Sequence, residues 1–185
     1  VIDNFDFEFF NSSIVMVTGA GGSIGSELCL QLLQTKISKI ILIDNSEFNL
    51  YKIENLLSNL NKYKIEIIYF LADIQNINLV KKIINKHKPT IVYHTAAYKH
   101  VPIVENNIFE SVKNNFFATI DLINLCIESD LKKFVYISSD KAVRPTNIMG
   151  ATKRLSEIYI QSICNKQNNK SLLTQFAIVR FGNVI

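Results

Sequence analysis

Short apolar runs rich in β-branched residues alternate with segments of helical periodicity along most of this chain. This alternation predicts strands at 14–17, 39–43, 65–71, 90–94, 134–138 and 174–180, and helices at 23–35, 48–60, 79–87, 109–127 and 147–167. Parallel strands require crossover helices, and strands that are apolar throughout are typical of sheets covered on both faces. We therefore predict an α/β fold with a doubly wound parallel sheet.

The composition restricts the setting in which this fold works. The chain has 185 residues, 48% of them hydrophobic, which suits one core and one domain spanning 1–185. The net charge of +4 comes from scattered lysines rather than a basic stripe, so we expect no nucleic-acid partner.

Three widely spaced cysteines form no disulfide or metal-binding pattern, which favours a reducing, cytoplasmic location and no metal. No apolar run reaches the roughly 18 residues of a membrane span, so no membrane contact is expected from this segment.

A glycine-rich turn, TGAGGSIG at 18–25, joins the first predicted strand to the first predicted helix. Gly19, Gly22 and Gly25 are spaced by three. Without Cβ atoms, such a turn lets backbone N–H groups approach a pyrophosphate, and the helix N-terminus adds partial positive charge. A glycine-rich turn alone also fits a simple chain reversal, but its place between strand and helix favours dinucleotide binding.

Asp44 closes the second strand, roughly twenty residues after the last glycine, where a carboxylate can accept hydrogen bonds from both ribose hydroxyls of an adenine nucleotide. No arginine follows it to neutralise a 2′-phosphate, because the next residues are Asn45, Ser46 and Glu47. We therefore expect NAD rather than NADP. The alternative is a helix cap, which fits Asn45 or Ser46 better than Asp44.

The next two strand ends carry further candidate binding residues. Asp73 ends the third strand and is expected either to meet the adenine or to cap the following helix. The fourth strand ends in HTAAYKHVP, whose small Thr95 and Ala96 would let a cofactor lie close to the backbone. Lys99 follows on the same rim, and we interpret His100 as a packed or solvated histidine because no metal-ligand spacing surrounds it.

Candidate catalytic groups follow the fifth strand in SSDKAVRPTNIMGATKR, at 138–154. Ser139, Asp140 and Lys141 place a hydroxyl, a carboxylate and an amine directly after the strand. Met149 and Lys153 are four residues apart, so they stack on one helix face. Together with TGAGGSIG, HTAAYKHVP and RFGNV, this segment resembles the extended short-chain dehydrogenase/reductases. Within them it is most similar to the nucleotide-sugar 4,6-dehydratases of polysaccharide biosynthesis, which act on UDP-N-acetylglucosamine.

The resemblance covers 14–185 and implies an NAD(P)-binding Rossmann fold and a lyase activity that recycles its cofactor. In most of that superfamily a tyrosine occupies the position of Met149 and removes the sugar hydroxyl proton. A thioether has no proton to exchange, but a membrane-associated subgroup of these dehydratases carries the same methionine. The resemblance then assigns the chemistry to Ser139, Asp140 and Lys141.

The family mechanism implies one role for each of these residues. Lys141 removes the C5 proton once C4 is a ketone, and Ser139 donates to the C4 oxygen. Asp140 protonates the departing C6 hydroxyl, for which we expect desolvation to raise its pKa; it is also our candidate for accepting the C4 hydroxyl proton. Lys153 is expected to bond the nicotinamide ribose.

The resemblance also completes the expected binding sites. Asn183 and Lys99 are expected to touch the substrate, and Asn115 is interpreted as structural because Phe116 and Phe117 follow it where the family has a small residue. The residues expected to bind the cofactor are Gly19, Gly22, Ser23, Ile24, Gly25, Asp44, Asp73, Ile74, Thr95, Ala96, Lys99, Ser138 and Lys153.

The chain begins without Met and stops within RFGNVI, so we expect a fragment of a longer protein whose smaller substrate lobe is largely missing here. The full-length protein is then cytoplasmic or anchored to the inner membrane, and a homo-oligomer by analogy. Two alternatives remain: a nucleotide-sugar 4-epimerase or reductase, and a non-catalytic NAD-binding module. Asp140 and Lys141 argue against the epimerase, because epimerisation at C4 needs no proton removal at C5.

Overall fold

The computed structural model describes residues 10–167 and 174–182. The strands in these ranges are β1 (Ile14–Thr18), β2 (Lys39–Asp44), β3 (Glu66–Leu71), β4 (Ile91–His94), β5 (Lys133–Ser139) and β6 (Gln175–Phe181). The helices are α1 (Ser23–Leu32), α2 (Glu47–Leu60), α3 (Ile77–His87), α4 (Val101–Asn106), α5 (Ile108–Val112), α6 (Ala118–Glu128) and α7 (Ile148–Gln167), with a π-helical turn at Lys113–Phe117 and a 3₁₀ turn at Asp140–Ala142. None of these helices is long and apolar enough to cross a membrane.

The six strands form one sheet in the order β3-β2-β1-β4-β5-β6, and every neighbouring pair is parallel. The prediction of a doubly wound parallel sheet is confirmed. The order reverses between β1 and β4, where Thr18 pairs with His94. In open α/β sheets the crevice at such a switch point, outside the carboxyl ends of the strands, is where ligands bind.

Both faces of the sheet are covered by apolar side chains, because successive strand residues point to opposite sides. Met16 and Phe134 pack with α3, α6 and α7 on one face, and Val17 and Leu42 pack with α1 and α2 on the other. All four side chains are fully buried. This double burial explains why the strands are apolar throughout.

The helix predicted at 109–127 is present between β4 and β5 as continuous helical backbone from 108 to 128. Helix α4, with Pro102 in its first turn, precedes it, and the π-helical turn separates α5 from α6. The π-helical turn buries Asn114 and Asn115. The predicted helical span is therefore confirmed, and only the π-helical turn was not predicted, because Asn115 there forms hydrogen bonds with the distant backbone of Tyr98 that helical periodicity cannot reveal.

Candidate active site

Two adjoining clefts open along the carboxyl ends of the strands. The first, of about 360 Å³, lies over the ends of β1 to β4, and the second, of about 340 Å³, lies between the ends of β4, β5 and β6 and helix α7. Ile24, Thr95, Ala97 and Lys99 line both clefts. The two clefts therefore form one groove across the switch point of the sheet.

The glycine turn forms the floor of the first cleft. Gly19 has a φ of +67°, and its N–H donates to the Ile43 carbonyl oxygen at 2.8 Å. A Cβ at Gly25 would overlap the Gly19 carbonyl oxygen. Gly22 is the N-cap of α1 and has no side chain to bond the first N–H groups of the helix. The N–H groups of the turn from Gly19 to Gly22 are bonded within the protein, so the turn presents the N-terminus of α1 to a pyrophosphate.

Thr95 and Ala96 are small for a reason the sequence did not reveal. The Thr95 hydroxyl lies 2.7 and 3.0 Å from the carbonyl oxygens of Thr18 and Gly19, which share its single proton. A Cβ at Gly19 would come within 2.7 Å of the Ala96 Cα. These residues lock the end of β4 against the glycine turn, in addition to lining the cleft.

Asp44 is buried at the end of β2 and lines the first cleft. Its Oδ2 accepts from the Gly21 N–H and its Oδ1 from the Ser46 N–H, both at 2.9 Å. Ser46, rather than Asp44, caps α2 by accepting from Asn49 N–H. The carboxylate is thus fixed beside the turn.

Asp73 and Ile74 line the same cleft at the end of β3. Asp73 Oδ1 accepts from the Gln75 N–H at 2.8 Å. The cap of α3 is Asn76, whose side chain accepts from Leu79 N–H. The helix-cap alternative for Asp73 was therefore wrong, and its carboxylate borders the cleft without capping a helix.

The loop after β4 is held by a side chain rather than by a strand. Asn115, buried in the π-helical turn, accepts from the Tyr98 N–H and donates to the Tyr98 carbonyl oxygen. Lys99 follows and lines both clefts, while His100 is exposed at the start of α4. The structural interpretation of Asn115 and the solvated interpretation of His100 agree with this geometry.

Ser139 and Lys141 line the second cleft, whereas Asp140 lies beside it with a side chain that is 55% exposed. Ser139 Oγ donates to Asp140 Oδ1 at 3.0 Å and accepts from the Lys141 N–H at 3.2 Å. Lys141 Nζ is 3.2 Å from the same Asp140 oxygen. The three predicted residues are therefore brought together in one hydrogen-bonded group.

The expected state of Asp140 was wrong. We expected desolvation to raise its pKa, but the side chain is exposed and the hydrogen bonds from Lys141 and Ser139 lower the pKa instead. At neutral pH Asp140 is a carboxylate, which can accept a proton before it donates one.

Met149 and Lys153 lie on the α7 wall of the second cleft, both nearly fully buried. Lys153 Nζ donates to the Ile137 carbonyl oxygen at 2.8 Å and lies 4.8 Å from the centre of the Tyr136 ring. Burial lowers the pKa of Lys153 to about 8, although the negative charge of Glu157 acts in the opposite direction.

Sequence reasoning missed two buried groups behind the cleft. His94 lies between Thr18 and Thr119, with Nδ1 and Nε2 at 2.7 and 2.9 Å from their hydroxyl oxygens, and burial lowers its pKa to about 3. The Glu157 carboxylate accepts from the Ser138 hydroxyl at 2.7 Å, so Ser138 lines the cleft with its hydroxyl turned to a buried partner. The i, i+4 spacing of Lys153 and Glu157 was the available signal for the second group.

Asn183, which was predicted to touch the substrate, lies outside the described residues.

The strand order, the glycine turn and the acidic end of β2 define a dinucleotide-binding Rossmann protein. The model of the family described as "Polysaccharide biosynthesis protein" matches residues 15–185, and the chain belongs to this family.

Two curated relatives have names that describe their roles. The chain is 46% identical over 171 residues to the capsular polysaccharide biosynthesis protein CapD of Staphylococcus aureus, covering 92% of this chain and 28% of that protein. It is 32% identical over 177 residues to a UDP-N-acetylglucosamine 4,6-dehydratase (inverting) of Campylobacter jejuni, covering 95% of this chain and 50% of that protein. The chain therefore spans half or less of these relatives.

A solved structure, Pen from Bacillus thuringiensis, matches with a TM-score of 0.86 and 35% identity. The match covers 96% of this chain and 52% of Pen.

Proposed function

We propose that this chain forms the NAD-binding part of a nucleotide-sugar 4,6-dehydratase that removes water from UDP-N-acetylglucosamine for surface polysaccharide or glycan synthesis. The observation that carries the proposal is the position of Ser139, Lys141 and Lys153 around a cleft continuous with the dinucleotide groove. The names of CapD and of the Campylobacter dehydratase support the substrate class and the reaction.

The first cleft fits a dinucleotide. Its glycine turn is packed so closely that a Cβ at Gly19 or Gly25 would overlap neighbouring backbone, and Asp44 lies where its carboxylate can accept hydrogen bonds from a ribose. A buried carboxylate there repels a 2′-phosphate, which favours NAD over NADP. When bound, NAD supplies a hydride acceptor for C4 of the sugar and later returns the hydride to C6.

The residues of the second cleft would move the protons. Asp140, ionised at neutral pH, accepts the C4 hydroxyl proton, and Ser139 donates a hydrogen bond to the C4 oxygen. The resulting ketone acidifies the C5 proton, and Lys141 is the proposed base that takes it. Asp140 then gives its proton to the departing C6 hydroxyl, which leaves as water, and Lys141, whose ammonium protons exchange with solvent, donates one of them to C5.

Lys153 and Met149 complete the wall without exchanging protons with the sugar. Lys153 places positive charge beside the site of the nicotinamide ribose, and its bond to the Ile137 carbonyl oxygen fixes its position. Met149 fills the place of a phenol with a buried thioether. Lys99, on the rim of both clefts, and Asn183 are proposed to meet the substrate.

The experiment is to add UDP-N-acetylglucosamine to the full-length protein with bound NAD and follow the absorbance of reduced nicotinamide. A transient rise followed by release of a 4-keto-6-deoxy sugar supports the proposal. If no reduced nicotinamide appears and the sugar nucleotide is recovered unchanged, the chain is a non-catalytic binding module. A C4 epimer as the product would instead indicate an epimerase.

A further inference from the structure

Glu157 joins three elements behind the second cleft. Its fully buried carboxylate accepts from the Ser138 hydroxyl of β5 at 2.7 Å, and from Arg180 Nε and NH2 of β6 at 2.8 and 2.7 Å. Arg154, on its own helix α7, donates at 3.0 Å to Oε2, the oxygen that also accepts from Arg180 NH2. Charge-assisted and bidentate bonds of this kind are the strongest and the most specific in geometry.

Each partner of Glu157 adjoins a residue of the cleft wall. Ser138 immediately precedes Ser139, and Arg180 immediately precedes Phe181, which lines the cleft. Lys153 lies one helical turn before Glu157, on the same face of α7. The bonds therefore fix the ends of β5 and β6 and the Lys153 turn of α7 relative to one another.

We propose that Glu157 is a positioning residue for the sugar-side cleft, which holds β5, β6 and α7 in register and supplies the counter-charge for the buried Lys153 ammonium. This inference rests on the proposed function, because it gives Lys153 a place beside the bound cofactor. A carboxylate buried this deeply is costly unless it is paired, so its partners are part of its role.

The charges around Lys153 support the electrostatic part of the proposal. The Tyr136 ring lies under its ammonium, and His94 on β4 stays neutral because its pKa is lowered to about 3. Lys99 and Lys141 also line the second cleft, and Lys141 is paired with Asp140. Arg154 and Arg180 bond to Glu157 itself. Glu157 raises the pKa of Lys153 against the larger effect of burial.

The test is the pH dependence of NAD⁺ affinity in the full-length protein carrying Glu157→Gln. Glutamine keeps the size and one acceptor but removes the charge. NAD⁺ affinity should fall as Lys153 loses its proton, and the midpoint of that fall should move to lower pH by about one unit in the variant. Glu157→Asp, which keeps the charge, should restore the wild-type midpoint. Glu128→Gln, on the exposed end of α6, is the matched control and should leave it unchanged.

Arg154→Met provides a second, opposite test if Glu157→Gln does not fold. Removal of this cation leaves the Glu157 charge less neutralised, so the midpoint should move to higher pH. Unchanged midpoints in the variants that fold would overturn the inference. A wild type that binds NAD⁺ with these shifts yet forms no product would contradict the proposed reaction alone, whereas product formation with unshifted midpoints would contradict the role of Glu157 alone.

Discussion

The side-chain amide of Asn115 forms two hydrogen bonds with the backbone of Tyr98, accepting from its N–H at 2.8 Å and donating to its carbonyl oxygen at 2.9 Å. These two hydrogen bonds take the place of strand pairing and hold the loop that carries Lys99 along the rim of both clefts. Because Asn115 lies in a π-helical turn, the irregular helix and the position of the loop depend on each other.

Asn115→Asp should therefore disorder this loop. The aspartate would place an acceptor against the Tyr98 carbonyl oxygen, and leaving buried polar groups unpaired should cost about 2–3 kcal/mol of the free energy of unfolding. NAD⁺ affinity should fall at least roughly tenfold, since 1.4 kcal/mol corresponds to a factor of ten. Denaturant unfolding and NAD⁺ titration measure both effects. Asn55→Asp, the same change at an exposed position within α2, should alter neither.

Gly25→Ala should prevent the glycine turn from closing. The added Cβ would overlap the carbonyl oxygen of Gly19 and approach the Ala20 Cα at 2.9 Å, both of which are backbone atoms that cannot move aside. We expect NAD⁺ binding to fall by at least about tenfold, with a lower melting temperature. Gly182→Ala is the matched control, because a Cβ there meets nothing within 4 Å, and it should keep the wild-type melting temperature. If Gly25→Ala has the same NAD⁺ affinity and melting temperature as Gly182→Ala, the turn tolerates a side chain.

Asp44 should make the protein prefer NAD⁺ to NADP⁺. Its position is fixed by Gly21 and Ser46, so it cannot turn away from a 2′-phosphate. Asp44→Asn, which removes the charge and also loses one of these two backbone hydrogen bonds, should reduce the ratio of the two affinities by about tenfold. Asp73→Asn should leave the ratio unchanged, because Asp73 lies at the next strand end. Equal affinities in the wild type would refute this role of Asp44.

Lys153→Met should bind NAD⁺ poorly and yet unfold at a higher temperature than the wild type at pH 7. Burial lowers the Lys153 pKa from 10.5 to about 8, so the folded state holds a destabilised charge below pH 8. Replacing Lys153 with methionine should raise the free energy of unfolding by about 2 kcal/mol, after subtraction of the lost hydrogen bond to the Ile137 carbonyl oxygen.

The pH dependence of this gain has a definite sign. Between pH 8 and 10.5 the unfolded wild type binds more protons than the folded state, so wild-type stability rises with pH and the advantage of Lys153→Met should shrink. Melting temperatures measured across this range check the prediction. An advantage that is absent at pH 7, or that grows with pH, would contradict it.

The sheet and the cofactor groove were predictable because their signals are local. Strand periodicity, the spacing of Gly19, Gly22 and Gly25, and acidic residues at strand ends lie within a few residues of the structure they specify. The strands agree with the prediction to within about a residue at each end, a difference expected from how strand ends are assigned. Ser139 and Lys141 likewise follow directly from their place at the end of β5.

The other features depend on partners far away in the chain. Glu157 bonds with Ser138 and Arg180, which are 19 and 23 residues distant, and Asn115 reaches back 17 residues to Tyr98. The lowered pKa of Asp140 has a different origin. It comes from the hydrogen bonds of Lys141 and Ser139 to an exposed carboxylate, and the sequence pattern showed neither the bonds nor the exposure.

The central claim is that Lys141 and Asp140 exchange protons with a hexose beside bound NAD. The most direct test is NMR of the product formed when the full-length protein acts on UDP-N-acetylglucosamine in deuterated water. We predict a 4-keto-6-deoxy sugar with deuterium at C5, and we predict no such product from Lys141→Met. A product without deuterium at C5, or a C4 epimer that keeps its C6 hydroxyl, would contradict the account.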